Sequence, residues 1–223
     1  MKPLKVEFHC HTIFSKDSLI QPQMLVDAAR RKGIDRLIVT DHNSIDGALE
    51  AKRLDPELVI VGEEIMTTRG ELLVAFVSEE VPFGLEPLEA IRRLKAQGAF
   101  ISVSHPFDAR RGWKLADLLE IIPLVDAIET FNARCMDGRY NLWAQEFARQ
   151  RNLAGTVGSD AHSTMELGRA TLTVESFADA DGLRRVVRSG VEEVRLSSPF
   201  IHFTSRYAVT VKKLGLGGKP KLH

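Results

Sequence analysis

The 223-residue chain predicts an α/β protein in which parallel strands, linked by crossover helices, form either a β/α barrel or a doubly wound sheet. Three observations carry this expectation. Strand-like apolar runs alternate with amphipathic, helix-like segments. The runs at 36–40 and 99–104 are nearly continuous in apolar residues, as strands covered on both faces are. Five of the seven histidines stand where a strand-like run gives way to a loop.

Taken in order, strands are expected at 5–9, 36–40, 58–62, 71–77, 99–104, 125–130 and 154–158, with a less regular one at 170–174. Helices are expected at 22–33, 44–54, 86–97, 114–122, 139–151 and 178–188, several of them opened by Pro, Ser or Asp. Gly33 and Gly98 follow two of these helices and read as stops. A chain of this length suits one compact domain, taken as 1–215, and the Gly- and Lys-rich ending at 216–223 reads as a flexible tail.

Hydrophobic residues make up 44% of the chain and charged residues 27%, enough to build a core and too apolar for disorder. Thirty basic and thirty acidic side chains cancel, so no overall field draws the molecule to extended nucleic acid or to an anionic membrane. Cys10 and Cys135 are too few for a disulfide framework and form no C-x-x-C pair. The first residues lack the apolar core of a signal peptide, and no apolar run approaches the roughly 20 residues that span a bilayer. A soluble, cytoplasmic protein is therefore expected.

His9 and His11 close the first strand, His42 the second, His105 the fifth and His162 the seventh, whereas His202 and His223 belong to the C-terminal tail. In parallel β/α folds these strand ends share one face, where active sites are built. Residues two apart in an extended chain point the same way, so His9 and His11 can address one metal while Cys10 turns aside. Asp160 and His162 repeat the spacing. Glu63 and Glu64 close the third strand, Asp17 follows the first histidine pair, and Glu71 opens the fourth strand after a Thr-Arg-Gly turn. Mixed nitrogen and oxygen ligation suits Zn, Mn or Fe. A cysteine-rich structural zinc site finds no support, and no G-x-S-x-G elbow accompanies Ser104 or Ser159.

The segments at 8–18 (Phe-His-Cys-His-Thr-Ile-Phe-Ser-Lys-Asp-Ser), 40–43 (Thr-Asp-His-Asn), 62–65 (Gly-Glu-Glu-Ile), 104–107 (Ser-His-Pro-Phe), 129–134 (Glu-Thr-Phe-Asn-Ala-Arg) and 158–162 (Gly-Ser-Asp-Ala-His) form an ordered set. Together they resemble the motifs of the polymerase and histidinol phosphatase (PHP) family. The resemblance implies a distorted seven-stranded β/α barrel with two or three divalent cations at the C-terminal ends of its strands. Carried over by motif, the ligand positions are His9, His11, Asp17, His42, Glu64, His105, Asp160 and His162. Glu64 is the bridging carboxylate, because the family pattern places that acid two residues after the glycine, here Gly62. Where several phosphatase members carry a ligating His, this chain has Glu71, which either ligates through oxygen or leaves one metal weakly held.

The resemblance implies hydrolysis of a phosphoester, in a small phosphorylated metabolite or nucleotide, by metal-bound hydroxide; Glu64 and Asp160 are taken as catalytic groups, and Arg134 is added to them from its place beyond the sixth strand. Alternatives are a nuclease acting on short nucleic acid or a nucleoside bisphosphate, and a non-catalytic metal-binding partner domain. Asp41 either orients a ligand or caps the following helix. Arg134, beyond the sixth strand, is expected to grip a phosphate with Asn132 beside it, or else to be an ordinary surface arginine. The loop with Arg110, Arg111 and Trp113 either holds a second phosphate and a base or sugar, or is a solvated loop anchored by Trp113.

Overall fold

The computed structural model describes residues 2–216. Its strands are β1 (Leu4–Glu7), β2 (Arg36–Val39), β3 (Val59–Met66), β4 (Glu71–Ala75), β5 (Phe100–Val103), β6 (Ala127–Asn132), β7 (Ala154–Gly158), β8 (Ala170–Val174) and β9 (Val191–Val194). Its helices are α1 (Pro22–Arg31), α2 (Asp46–Leu54), α3 (Pro87–Ala96), α4 (Leu115–Ile121), α5 (Arg139–Arg151), α6 (Ala180–Val186) and α7 (Ile201–Lys213). The tail expected at 216–223 falls, from residue 217 onward and including His223, outside the described residues.

Local chemistry sets several boundaries. Pro22 and Pro87 open α1 and α3, where a missing N–H breaks no helical bond. Gly33 and Gly98 then take left-handed conformations, with φ of +67° and +73°, just past the same helices. Asp179 caps α6 by accepting a bond from the Gly182 N–H at 2.6 Å.

The strands form one sheet in the order β7-β6-β5-β4-β3-β2-β1-β8-β9, which curls into a nearly closed barrel. β1, β2 and β3 are mutually parallel, as are β5, β6 and β7. β4 runs against both its neighbours, which corrects the all-parallel expectation. The reason is local: Thr67 donates to the Gly70 carbonyl at 2.9 Å, closing a hairpin too short for a crossover helix. The reversal brings Glu71, the first residue of β4, to the same mouth as the ends of the parallel strands. β3 also continues to Met66, so Glu63 and Glu64 lie within the strand rather than at its end.

The barrel closes only at that mouth. Lower down, β1 pairs with the antiparallel β8 through Leu4–Val6. Beyond Glu7 the chain changes partner: His11 N–H donates to the Ala161 carbonyl at 2.9 Å and Ala161 N–H to the His9 carbonyl at 3.2 Å. The barrel fold is thus as expected, with two more strands than the seven of the resemblance, because β8 and β9 continue the sheet past β1. Inside, Ile38, Ile60, Leu73 and Phe100 share an apolar cluster. Above them Ser102 and Thr156 hydroxyls bond at 2.8 Å, and above these begins the histidine layer. Leu37, Val39, Val61, Leu72, Val74 and Ile101, alternate residues of the same strands, pack outward against the helices.

Candidate metal centre

His9 and His11 leave the end of β1 with both rings fully buried, while Cys10 between them is in the outer core with its thiol against the Ile38 carbonyl at 3.4 Å. The alternation expected of an extended chain holds here. Glu64 reaches the rings from β3: one oxygen lies 3.3 Å from His9 Nε2, 3.5 Å from His11 Nε2 and 3.0 Å from His42 Nδ1. Its other oxygen lies 3.1 Å from His105 Nε2 and accepts the Ser104 hydroxyl at 2.7 Å. Glu64 therefore spans the cluster. Asp160 stands 3.4 Å from His11 Nε2, and Asp17 stands 3.1 Å from His162 Nε2 and 3.5 Å from His42 Nε2. Glu71 faces His105 Nε2 at 3.2 Å.

The rings are aimed by partners behind them. His9 Nδ1 lies 3.0 Å from Glu129, His11 Nδ1 lies 3.0 Å from the Ser15 hydroxyl, and His162 Nδ1 lies 2.8 Å from the Asp160 carbonyl. Nε2 of all three is then left buried without a hydrogen-bond partner, as are one oxygen each of Asp17, Glu64, Glu71 and Asp160. Buried polar atoms are normally paired, so convergent unpaired lone pairs from imidazole and carboxylate are what divalent cations would satisfy. The donor atoms of His9, His11 and Glu64, of His11, His42 and His162, and of His42, Glu64 and Glu71 lie within 4.8 Å of one another in each group. The residues present fit a metal centre in which Glu64, His11 and His42 are each shared between two groups.

Charge coupling matches the geometry. Burial works to lower the His9 pKa, but Glu64, Asp160 and Glu129 outweigh it and hold the pKa well above the usual imidazole range. Burial, reinforced by His162 and His42, pushes His11 well below that range. For His105, burial and Arg111 lower the pKa, yet the bonds to Glu64 and Glu71 raise it to about 9. Glu64 is held well below the carboxylate range, since the surrounding histidines overcome its burial. The backbone is bent to serve the site: His105 and Asp160 have φ of +22° and +51°. Such conformations cost about 1–3 kcal/mol each and persist where surroundings enforce them. Here Glu129 accepts the His105 N–H at 2.7 Å.

Asp41 does not cap α2, whose first turn has no side-chain cap. It accepts the Ser15 hydroxyl at 2.6 Å and the Thr12 N–H at 2.6 Å, and Ser15 in turn meets both His11 Nδ1 and the His42 N–H. Asp41 thus orients two histidines through one serine.

The expected substrate groups are distributed differently. Arg134 is not a surface residue: it is 5% exposed, its Nε is 3.2 Å from Glu166 and its Nη2 donates to Ser205 at 2.8 Å. Asn132 is turned into the protein, with its amide donating to Glu129 at 3.1 Å and Asp160 at 3.2 Å, so no amide hydrogen is left for a phosphate. Trp113 belongs to the core and donates to the Glu71 carbonyl at 3.1 Å, which makes it an anchor for its loop and removes it from the mouth. Arg111 reaches Asp160 at 2.8 Å, and Arg110 is exposed.

A cavity of about 340 Å³ opens directly on the cluster, bounded by Asp17 and His162 on one side and by Arg110, Arg111 and Arg134 on the other. Its remaining wall includes His202 and Ser205 of α7, a helix absent from the expected elements. The chain returns to the mouth after β9 through the Ser197 N–H bond to Ala133 at 2.8 Å, and Lys212 Nζ donates to the carbonyls of Ile13, at 2.5 Å, and Ser15. His202 is therefore a cavity residue rather than part of a free tail. Glu129, Ser15 and Glu166 were also missed as site residues. For Glu129 and Ser15 a signal existed, since they stand within the motifs at 129–134 and 8–18.

The sequence profile of the PHP domain matches residues 7–96, and that of the PHP-associated region matches 138–191. An uncharacterized protein of Methanocaldococcus jannaschii is 36% identical over 154 residues, 62% of this chain and 87% of that protein. Among solved structures, PsfC from Pseudomonas syringae has a TM-score of 0.71 at 19% identity, over 95% of this chain and 100% of its own. A candidate metal-dependent phosphoesterase from Bifidobacterium adolescentis has a TM-score of 0.61 at 18% identity, over 83% of this chain and 96% of its own. At such identities the structural likeness speaks for the fold alone. Among the described residues no helix is long and apolar enough to cross a membrane.

Proposed function

Because the chain belongs to the PHP family, we propose that it is a metal-dependent phosphoesterase that hydrolyses a small phosphorylated metabolite or nucleotide, using two or three Mn, Zn or Fe ions. The observation that carries this reading is the convergence of unpaired Nε2 atoms of His9, His11 and His162 with unpaired oxygens of Glu64 and Asp160, beside a cavity lined by three arginines. Cations bound there would supply Lewis acidity and make water nucleophilic near neutral pH for in-line displacement at phosphorus.

The chain's own groups do the remaining work. Glu64 joins the two halves of the ligand set, and Glu129, Ser15 and Asp41 hold the imidazoles in one orientation. Arg134, fixed by Glu166 and Ser205, offers a planar guanidinium to the non-bridging phosphate oxygens. Arg111, tied to Asp160, brings a second positive charge to the same space. The arginines gather around one cavity rather than along a track, which favours a small ester over a nucleic-acid chain.

Purified protein is expected to carry Zn, Mn or Fe by elemental analysis, and chelation is expected to abolish hydrolysis of a generic aryl phosphate. Replacing His9 and His11 together by Ala should lower that activity by orders of magnitude and leave a folded barrel by circular dichroism. Full activity of the metal-free protein would overturn the proposal.

A further inference from the structure

The cavity over the metal centre does not end at Arg134. A second space of about 470 Å³ adjoins it and shares Arg110, Met136, His202 and Ser205 with it, so the two form one continuous cleft. Its outer wall is made by Phe200, Phe203 and Arg206 at the start of α7. The two phenylalanine rings stack on each other with centroids 6.4 Å apart and planes 23° apart. Both are largely solvent-facing, at 76% and 65% exposure. A paired aromatic surface left open beside a polar cavity is the kind of exposed apolar patch that marks a ligand-binding groove.

Charge distinguishes the two spaces. In the inner one Arg134 is countered by Glu166, and Arg111 by Asp160. Arg110, which both spaces share, and Arg206, which lines only the outer one, have no carboxylate partner among the described residues. The outer space therefore combines flat apolar surface with uncompensated positive charge, while the inner one is polar and faces the metal ligands.

We propose that α7 builds a specificity subsite for the alcohol portion of the substrate, in which Phe200 and Phe203 receive a flat aromatic group and Arg110 and Arg206 receive an anion carried on it. The inference rests on the phosphoesterase reading, since the inner cavity must hold the phosphate for the outer one to meet the rest of the molecule. The substrate class is then an aromatic or heterocyclic phosphoester with a second anionic group. The cation and ring surface that the sequence placed together on the 108–114 loop are instead contributed from two sides of the cleft, Arg110 by that loop and the rings by α7.

The test is calorimetric binding of hydrolysis-inert phosphonates to the metal-loaded chain. Naphthylmethylphosphonate should bind about tenfold more tightly than methylphosphonate, as burial of one ring implies, and a sulfonate on the ring should tighten binding further. Phe200→Ala with Phe203→Ala should reduce the naphthyl preference to about twofold, and Arg110→Gln with Arg206→Gln should remove the gain from the sulfonate. Both phenylalanines are exposed, so the melting temperature checks that the barrel is intact. An unchanged naphthyl preference in the double variant overturns the subsite. So does an aryl preference that survives while light scattering shows the variant changing from dimer to monomer, which would make this face a contact between copies. If methylphosphonate binds and no phosphoester is turned over, the phosphoesterase reading fails separately from the subsite.

Discussion

Each of His9, His11 and His162 commits Nδ1 to a protein partner, so the residues behind the rings decide which lone pair faces the cluster. Glu129 has the largest share of this work: it meets His9, accepts the strained His105 N–H and accepts the Asn132 amide. Glu129→Gln should keep the shape but lose the charge that polarises His9. A loss of about 10–100-fold in metal affinity is expected, the range for such outer partners; competition with a chromophoric chelator measures it, and parent-like affinity would make Glu129 a packing residue. Arg134→Ala should weaken substrate binding by about 1.5–3 kcal/mol, as a lost hydrogen bond to a charged group does. Arg134→Lys should recover only part, because a point charge cannot reproduce a planar pair of donors. Steady-state KM and kcat of both variants decide the matter, and values equal to the parent would remove Arg134 from the binding site. The convergence of the candidate ligands was legible because histidines and acids at strand ends share one face of a β/α fold. Asn132 and Trp113 were not, because the bonds that hold them inward include ones to groups 28 and 42 positions away, on Asp160 and the Glu71 carbonyl.

At the level of elements, a site at the mouth of a barrel requires the strands to meet there, and β1 and β7 do so only above Glu7. Gly158, the last residue of β7, makes room for this: a Cβ placed on it would come within 2.5 Å of His9 Cβ and closer still to Glu129. Gly158→Ala should therefore displace His9, lower stability by about 1–3 kcal/mol as overpacking does, and weaken metal binding more than stability. Urea unfolding with and without added Mn separates the two effects, and equal curves for variant and parent would refute the close approach. Most elements were readable from period and punctuation, Pro22, Gly33, Pro87 and Gly98 being the clearest marks. The reversal of β4 was not, since a strand covered on both faces has the same residue pattern in either direction. α7 escaped for a different reason: of its residues only Ala208 is buried, so no apolar stripe faces the core to announce it. β9 likewise lies exposed along its whole length and carries Glu192 and Glu193 where a core strand would be apolar.

For the molecule as a whole, equal numbers of acidic and basic residues leave no net charge, and many of the ion pairs, such as Arg92–Glu89 and Arg149–Glu146, are on the surface, where each contributes little. The dependence of stability on pH must then come largely from buried groups. Glu63 is the instructive one. It alternates with Glu64 along β3, so it points away from the histidine cluster into the packing beneath the Val81 N–H, which one of its oxygens meets at 3.3 Å, while the other has no partner. Burial raises its pKa from 4.5 to about 8, against the smaller effect of the Val81 bond. A carboxyl with a raised folded-state pKa holds a proton that the unfolded chain releases, so its contribution is intact below about pH 4.5 and is lost as pH rises toward 8. Over that window stability should fall by at most about 1.4 kcal/mol per pH unit from this group. Glu63→Gln retains the shape and cannot ionise, so the variant should match the parent near pH 4.5 and exceed it increasingly toward pH 8. Urea unfolding of both metal-free proteins across that range reads the difference directly. Parallel stability curves would mean that Glu63 is already ionised in the fold and that its second oxygen finds a partner there.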